Sequence, residues 1–240
     1  MWIVRLLLVI LLIYFSPSSF ANDIFITQSG DRLDLDVVQE GQDHVVSGYS
    51  GTHANIQGDD NTVMVKQRSV VAADSSQVKL DVNGDDNEVF AGQGVGTYSS
   101  GYTNYTQTDS LEAGEHLTQI DVVGDDNKVY TGQRNGSGFS TVPQYDDHTI
   151  TAKVYGDNNE VGMFQGHDGS KTMSLTINND GNNVDMRQRG YDAEHSATVT
   201  LDGTAGTSLY LDQNSTTSQS YSLNQFCATA GGCSVSVTQN

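Results

Sequence analysis

The sequence predicts an all-β protein, a β-solenoid of about eight stacked strand-turn-strand repeats arranged as two facing sheets. Three observations lead to this prediction. A Gly-Asp-Asp-Asn turn recurs along the chain, a glutamine follows the turn asparagine at a constant distance of six residues, and apolar residues alternate with polar ones on both sides of the turn. Together they describe one structural unit that is copied along the chain.

The turn and the glutamine define the repeat. The turn glycines are Gly30, Gly58, Gly84, Gly124 and Gly156, and the paired acids are Asp59, Asp60, Asp85, Asp86, Asp125 and Asp126. The turn asparagines are Asn61, Asn87, Asn127, Asn159 and Asn182. The anchoring glutamines are Gln39, Gln67, Gln93, Gln133, Gln165 and Gln188, with looser copies that end at Gln213 and Gln239. In the looser copies Gly203 is one residue out of register and Cys233 stands where asparagine belongs.

Each unit contains two strands with one apolar face. Before one turn, Val78, Leu80 and Val82 share a face, and Lys79 and Asp81 occupy the other. After that turn the same-face set is Asn87, Val89, Ala91 and Gln93. A two-stranded piece is marginal in water, so the units must stack to bury these faces. Stacking at about 4.8 Å places valine on valine and lines up the amides as ladders.

The first residues indicate export. Arg5 precedes an apolar run from Leu6 to Phe15, which is typical of a signal peptide at residues 1–21 that is cleaved after Ala21. A membrane anchor is the alternative, but the run is shorter than the ~20 residues that span a bilayer. Residues 22–240 then form the repeat domain, which we expect to be soluble and outside the cytoplasm.

Charge narrows the class of partner. The net charge of −19 argues against nucleic acid as a partner. A disordered acidic chain is a competing class at this charge, but the regular apolar spacing argues against it.

The distance between anchor glutamines varies, which predicts loop insertions at residues 94–115 and 134–147. Tyr98, Tyr102 and Tyr105 in the first insertion are consistent with an adhesive surface for carbohydrate or cells, and equally with disorder.

The pattern Gln-x-Gly-x-x-Asn, with a second glutamine six residues after the asparagine, resembles the curlin repeat of curli fibre subunits. The first unit, with Gln28 and Gly30 followed by Gln39 and Gly41, is most similar to the minor, nucleating curlin. The resemblance implies an amyloid-like solenoid and a secreted subunit that uses the outer-membrane curli secretion apparatus. It implies self-association with other curlin-type subunits into cell-surface fibres for biofilm matrix and adhesion. The glutamines and turn asparagines, Gln28 included, would form its structural ladders.

The chain departs from the family pattern, which predicts a divergent or accessory member. The first-strand glutamine survives only as Gln28 and is replaced by apolar residues at Ile56, Val82, Val122, Val154 and Ile177. The strand-opening serine is kept at Ser76 and becomes His116, His148 and His195. A monomeric cell-surface or calcium-binding adhesin module with the same solenoid is the alternative function.

Three features carry competing interpretations. The stacked turn acids suggest calcium ligands, but glycine, aspartate and asparagine are also ordinary turn formers, so we predict no built metal site and at most weak divalent cation binding. The recurring histidines suggest a metal-binding or pH-sensing column, or simply structural strand-edge residues. Cys227 and Cys233 flank the last turn, where an exported protein can form a disulfide or keep two thiols.

No motif of catalysis is found, and we predict no enzyme and no cofactor. Gly-x-Ser-x-Gly, His-Glu-x-x-His and a phosphate-binding loop are missing from the sequence. Recurrence of one residue type at one position favours a structural role, because a catalytic site needs different groups that converge. A polysaccharide-cleaving β-helix is the enzyme alternative, and it would need a loop cluster of acidic and basic residues.

Overall fold

The computed structural model describes residues 22–69, 75–94, 97–100, 103–106, 114–134 and 146–240. Within these residues the regular structure is β-strand, and none of them forms a helix. The strands are β1 (Asp23–Ile24), β2 (Ile26–Ser29), β3 (Asp34–Glu40), β4 (Val45–Ser47), β5 (Ala54–Gln57), β6 (Thr62–Arg68), β7 (Gln77–Asn83), β8 (Glu88–Gln93), β9 (Thr97–Ser100), β10 (Thr103–Thr106), β11 (Leu117–Val123), β12 (Lys128–Gln133), β13 (His148–Thr151), β14 (Glu160–Gln165), β15 (Lys171–Thr172), β16 (Asn183–Arg189), β17 (Ser196–Gly203), β18 (Thr207–Asn214), β19 (Ser220–Cys227) and β20 (Cys233–Gln239). The predicted signal peptide, Tyr102 and much of both predicted insertions lie outside the described residues.

Eighteen of the strands form two parallel sheets, which confirms the all-β prediction. Sheet A has ten strands: β1, β2, β4, β5, β7, β11, β13, β15, β17 and β19. Sheet B has eight: β3, β6, β8, β12, β14, β16, β18 and β20. The chain alternates between the sheets, so each sheet A segment and the sheet B strand after it form a layer, called a rung here. There are eight rungs in the described chain.

Equivalent residues of successive rungs lie directly opposite one another. Val129 of β12 pairs with Val89 of β8 and with Val161 of β14, and Gln133 pairs with Gln93 and Gln165 in the same strands. This register follows from the constant length of the strand-turn-strand unit. Most of the variation in length lies in the segments that lead from sheet B back to sheet A, and residues 48–53 add length inside the second rung, between β4 and β5.

The core is the thin layer between the sheets. Val78, Leu80 and Val82 of sheet A and Val89 and Ala91 of sheet B are at most 1 % exposed. The same alternation recurs in the following rungs, which confirms the predicted apolar faces. Each fully buried aliphatic side chain contributes roughly 1.5–3 kcal/mol, so this layer is the main source of stability.

Sheet A is less regular than the sequence predicts. Residues 48–53 divide the second rung into β4 and β5, and β9 and β10 form an antiparallel hairpin inside the predicted loop 94–115. β13 ends at Thr151, although Ala152 and Val154 remain buried in the core. Lys153 and Val154 have φ of 81° and 134°. These left-handed angles interrupt the regular strand, although Ala152 N–H and the Val154 carbonyl oxygen still bond to the preceding rung.

Candidate functional site

The glutamines at the ends of the sheet B strands form one continuous column. In each rung the glutamine Nε2 donates to the Oε1 of the glutamine in the following rung. The links are Gln39 to Gln67 at 2.9 Å, Gln67 to Gln93 at 2.9 Å, Gln93 to Gln133 at 3.1 Å, Gln133 to Gln165 at 3.2 Å, Gln165 to Gln188 at 2.9 Å, Gln188 to Gln213 at 2.8 Å and Gln213 to Gln239 at 2.8 Å. Every link points in the same direction along the stack.

The glutamine column also joins the two sheets. Gln67 Nε2 donates to the carbonyl oxygen of Ser76 at 2.7 Å, and Gln133 Nε2 donates to that of His148 at 2.7 Å. Ser76 immediately precedes β7, and His148 is the first residue of β13. A buried amide must have its donors and acceptor paired, and this position supplies a partner for each. The side chain therefore ties successive rungs and opposite sheets together.

Gln28 does not join this column, contrary to the prediction from the family pattern. It lies in β2 of sheet A, where it pairs with Ile56 of β5. Its side chain is exposed, and its Nε2 is 3.4 Å from the carbonyl oxygen of Gly30. The equivalent position is apolar in the later rungs, so no amide is available to extend a second ladder.

The turn asparagines form a second column. The Oδ1 atoms of Asn61, Asn87, Asn127, Asn159 and Asn182 each accept the backbone N–H at the same position in the following rung, at 2.8–3.0 Å. The last of these donors is Thr207, and Cys233 pairs with Thr207 in the next rung. The asparagine column therefore stops two rungs before the C-terminal end of the stack.

The turn glycines allow the rungs to approach closely. Gly58 and Gly84 have φ of 113° and 136°, and a Cβ on either would lie 2.0 Å from the carbonyl oxygen of the glycine in the next rung. Gly30 and Gly124 have positive φ and equivalent contacts of 2.0 and 2.4 Å, and a Cβ on Gly156 would lie 2.5 Å from the carbonyl oxygen of Asn179. Only glycine fits these positions.

The first acid of each turn is a hydrogen-bond acceptor. The Oδ1 atoms of Asp59, Asp85 and Asp125 accept the backbone N–H of the equivalent aspartate one rung earlier, at 2.7–2.8 Å. These carboxylates are thereby used to hold the turns in register. Among the described residues, no group of three or more His, Cys, Asp or Glu side chains is arranged to hold a metal ion.

The second acid of each turn adopts a left-handed backbone conformation and lies in a row of like negative charges. Asp60, Asp86 and Asp126 have φ of 56–57°. Arg32 forms an ion pair with Asp60 at the N-terminal end of this row. Partial desolvation and the neighbouring charges of Asp60 and Asp126 raise the pKa of Asp86. An arginine thus closes one end of a row of like charges.

The histidine position contains more residues than the sequence analysis found. The strand register aligns His44, Ser76, His116, His148, Lys171 and His195 in one column at the start of the sheet A strands. All of them are buried. Lys171 stands 17 residues before its anchor glutamine, as do His116 and His148, so the same count would have found it. His44 was hidden because the segment 48–53 lengthens its rung.

A disulfide closes the last turn. Cys227 and Cys233 are bridged, with a Cα–Cα distance of 5.8 Å. Cys227 is fully buried, and Cys233 occupies the position of the turn asparagine. A covalent bond therefore replaces the side-chain hydrogen bonds that hold the earlier turns.

No family model, curated protein or solved structure matches the chain. A helix with the length and apolar character needed to cross a membrane is not found in the described part of the chain. The candidate site is consequently defined by geometry: columns of one residue type whose chemistry is to bind one rung to the next.

Proposed function

We propose that the chain is a structural subunit or nucleator of extracellular, curli-like amyloid fibres, in which β-solenoid units stack end to end for biofilm matrix and adhesion. The glutamine column carries this proposal. Because its bonds all run in one direction, it begins with the acceptor Oε1 of Gln39 and ends with the donor Nε2 of Gln239. A second copy stacked head to tail continues the column without reversing any bond.

The terminal strands support the same proposal. Within the described residues, β3 pairs only with β6, β20 only with β18 and β19 only with β17. Open strand edges template the addition of further strands. The core residues are also less covered at the two ends, since Ile26, Leu33, Val37, Leu223 and Val237 are only partly buried. Stacking would bury them.

A monomeric surface module is the second candidate. The edge of the stack that carries the turns between sheet A and sheet B favours it. Arg32 neutralises Asp60 at the first turns, and the disulfide takes the place of the asparagine side-chain bonds at the last rung. The aspartate and asparagine columns are therefore completed within one chain. A fibre would continue the glutamine column and the strand ladders but not these turns.

Electron microscopy and thioflavin fluorescence of residues 22–240 test the proposal. We expect unbranched fibres whose X-ray fibre diffraction shows a meridional reflection at about 4.7–4.8 Å. Gln239→Leu removes the terminal donor and should slow seeded elongation several-fold. Thr238→Val, which changes the exposed side of the same strand, is the matched control and should elongate like the parent. A parent chain that stays monomeric for days at high micromolar concentration overturns the fibre proposal in favour of the monomeric module.

A further inference from the structure

The column of His44, Ser76, His116, His148, Lys171 and His195 holds ionisable side chains that the fibre proposal does not use. It runs beside the glutamine column, because the carbonyl oxygens of Ser76, His116 and His148 accept the glutamine amides. Four imidazoles and an ammonium group are enclosed along one edge of the stack.

The hydrogen bonds of this column require neutral imidazoles. His44 Nδ1 accepts the backbone N–H of Ser76 at 3.3 Å, and His116 Nδ1 accepts that of His148 at 3.3 Å. His44 Nε2 lies 3.1 Å from the carbonyl oxygen of Glu40 and therefore carries the ring proton. A second proton, on Nδ1, would point directly at an N–H donor.

The other two imidazoles have no place for a second proton either. His148 and His195 direct Nε2 to the carbonyl oxygens of Arg134 at 3.1 Å and Arg189 at 2.8 Å. Their Nδ1 atoms are buried and have no hydrogen-bond partner among the described residues. The backbone of His167 and of Ser215 favours the charged form of His148 and His195, but burial outweighs this effect on the pKa of both rings. A second proton on Nδ1 would add an enclosed N–H, which is costly.

The charges around the column do not stabilise a protonated imidazole at its centre. The His116 and His148 rings stack with centroids 5.1 Å apart and planes 9° apart, so two imidazolium ions there would repel. The Lys171 charge acts against protonation of both His148 and His195.

The carboxylates act at other members of the column. Asp146, Asp168 and Asp192 face Lys171, whose ammonium donates to the carbonyl oxygens of residues 167–169 at 2.6–3.3 Å. Asp43 is the carboxylate that acts on His44. None of these carboxylates acts on His116 or His148, which are faced by the Lys171 cation, by each other and by backbone groups.

We propose that this column is a pH-sensitive lock: neutral imidazoles join the ends of the sheet B strands to the starts of the sheet A strands at neutral pH, and proton uptake in acid opens the stack along this edge. The lock acts within a single chain, so it does not depend on fibre formation. It would restrict the folded stack, and any assembly built from it, to neutral and alkaline surroundings.

The direction of the pH dependence follows from burial. Desolvation lowers the pKa of His116 to about 4, and it lowers the pKa of His44, His148 and His195 from the ordinary value of 6.5. The unfolded chain therefore takes up protons near pH 6.5 that the folded chain refuses. The stabilisation is complete above that pH and is lost as the pH falls towards the folded-state values. Each such histidine changes the unfolding equilibrium on the order of tenfold per pH unit in this window.

Urea unfolding of the soluble chain between pH 7.5 and 5.0, followed by circular dichroism, tests the lock. The double variant His116→Ser, His148→Ser places at both positions the residue that Ser76 already provides in the third rung. We expect it to lose about half of the acid-induced decrease in the unfolding midpoint, because two of the four histidines with a lowered pKa remain. His53→Ser changes an exposed histidine outside the column and should keep the full decrease. An unchanged pH dependence in the double variant would overturn the proposal.

A titration of the parent protein decides the question even if the double variant does not fold. The imidazole carbon resonances of His116 and His148 should keep their neutral positions until the β-sheet signal itself is lost. Protonation of these rings between pH 6 and 7 in an intact folded chain would contradict the lock. Because both measurements use the soluble chain, a failure to form fibres leaves this test unaffected.

Discussion

At the scale of single residues, Gln133 illustrates how one side chain joins three parts of the molecule. It accepts from Gln93 Nε2 at 3.1 Å and from Thr118 Oγ1 at 2.7 Å, and it donates to Gln165 Oε1 at 3.2 Å. It is 1 % exposed, so water cannot replace these partners. The column is thus cohesive only while every amide in it is present.

Replacing this amide should destabilise the stack strongly. Gln133→Leu leaves the Gln165 acceptor buried without its donor, at about 1–3 kcal/mol, and removes one of the acceptors of the Gln93 amide. Chemical denaturation of the soluble chain measures the loss. Gln28→Leu is the matched control, because Gln28 is exposed and outside the column, and its effect should stay within about 0.5 kcal/mol. Equal stabilities for the two variants would remove the ladder from the energetics of the fold.

At the scale of the structural element, the turn sets the spacing of the rungs. The carbonyl oxygen of one turn glycine lies against the α-carbon of the glycine in the preceding rung, where any side chain would collide. The following aspartate then binds the neighbouring turn through its Oδ1. Close approach and hydrogen bonding therefore act together in the same four residues.

The requirement for glycine in the turns predicts that alanine destabilises the fold at a turn glycine but not at a glycine within a strand. At Gly84 a methyl group meets both a φ of 136° and an oxygen 2.0 Å away. The backbone angle alone costs about 1–3 kcal/mol, and the overlap adds to it. Gly162→Ala is the control, since its nearest contact is an ordinary 3.7 Å and its φ is not positive. Thermal unfolding should show a large loss for Gly84→Ala and little or none for Gly162→Ala.

At the scale of the whole molecule, the two ends of the stack differ in how they are closed. The turn of the C-terminal rung keeps backbone hydrogen bonds, and the Cys227–Cys233 disulfide takes the place of the aspartate and asparagine side-chain bonds of the earlier turns. Its strands β19 and β20 each have one strand partner among the described residues. The bond compensates for the contacts that an end rung lacks.

Loss of the disulfide should therefore destabilise the last rung and leave the stability of the other rungs unchanged. Cys227→Ser together with Cys233→Ser should destabilise the last rung by about 2 kcal/mol, as estimated for a short closed loop. Hydrogen exchange should accelerate in β19 and β20 and remain unchanged in β11 and β12, which serve as the internal reference. Uniform acceleration along the chain would show instead that the rungs unfold as a single unit.

The repeating unit could be predicted from the sequence because its signals are local. Alternation with a period of two identifies the faces of Val78, Leu80 and Val82, and glycine with aspartate and asparagine identifies the turn. A constant six-residue spacing then aligns Gln39 to Gln239 without any knowledge of the loops. These features depend on neighbours in the chain, so the amino-acid order alone determines them.

Tertiary structure decided what depends on lateral stacking. It excluded Gln28 from the glutamine column, because that residue belongs to the other sheet, and it brought His44 into line with the recognised histidines. It also ended β13 at Thr151 while keeping Val154 in the core. Connecting segments of different length hide such alignments in the sequence. They are settled by the packing of one rung on the next, where burial of the core and pairing of every enclosed polar group must be satisfied together.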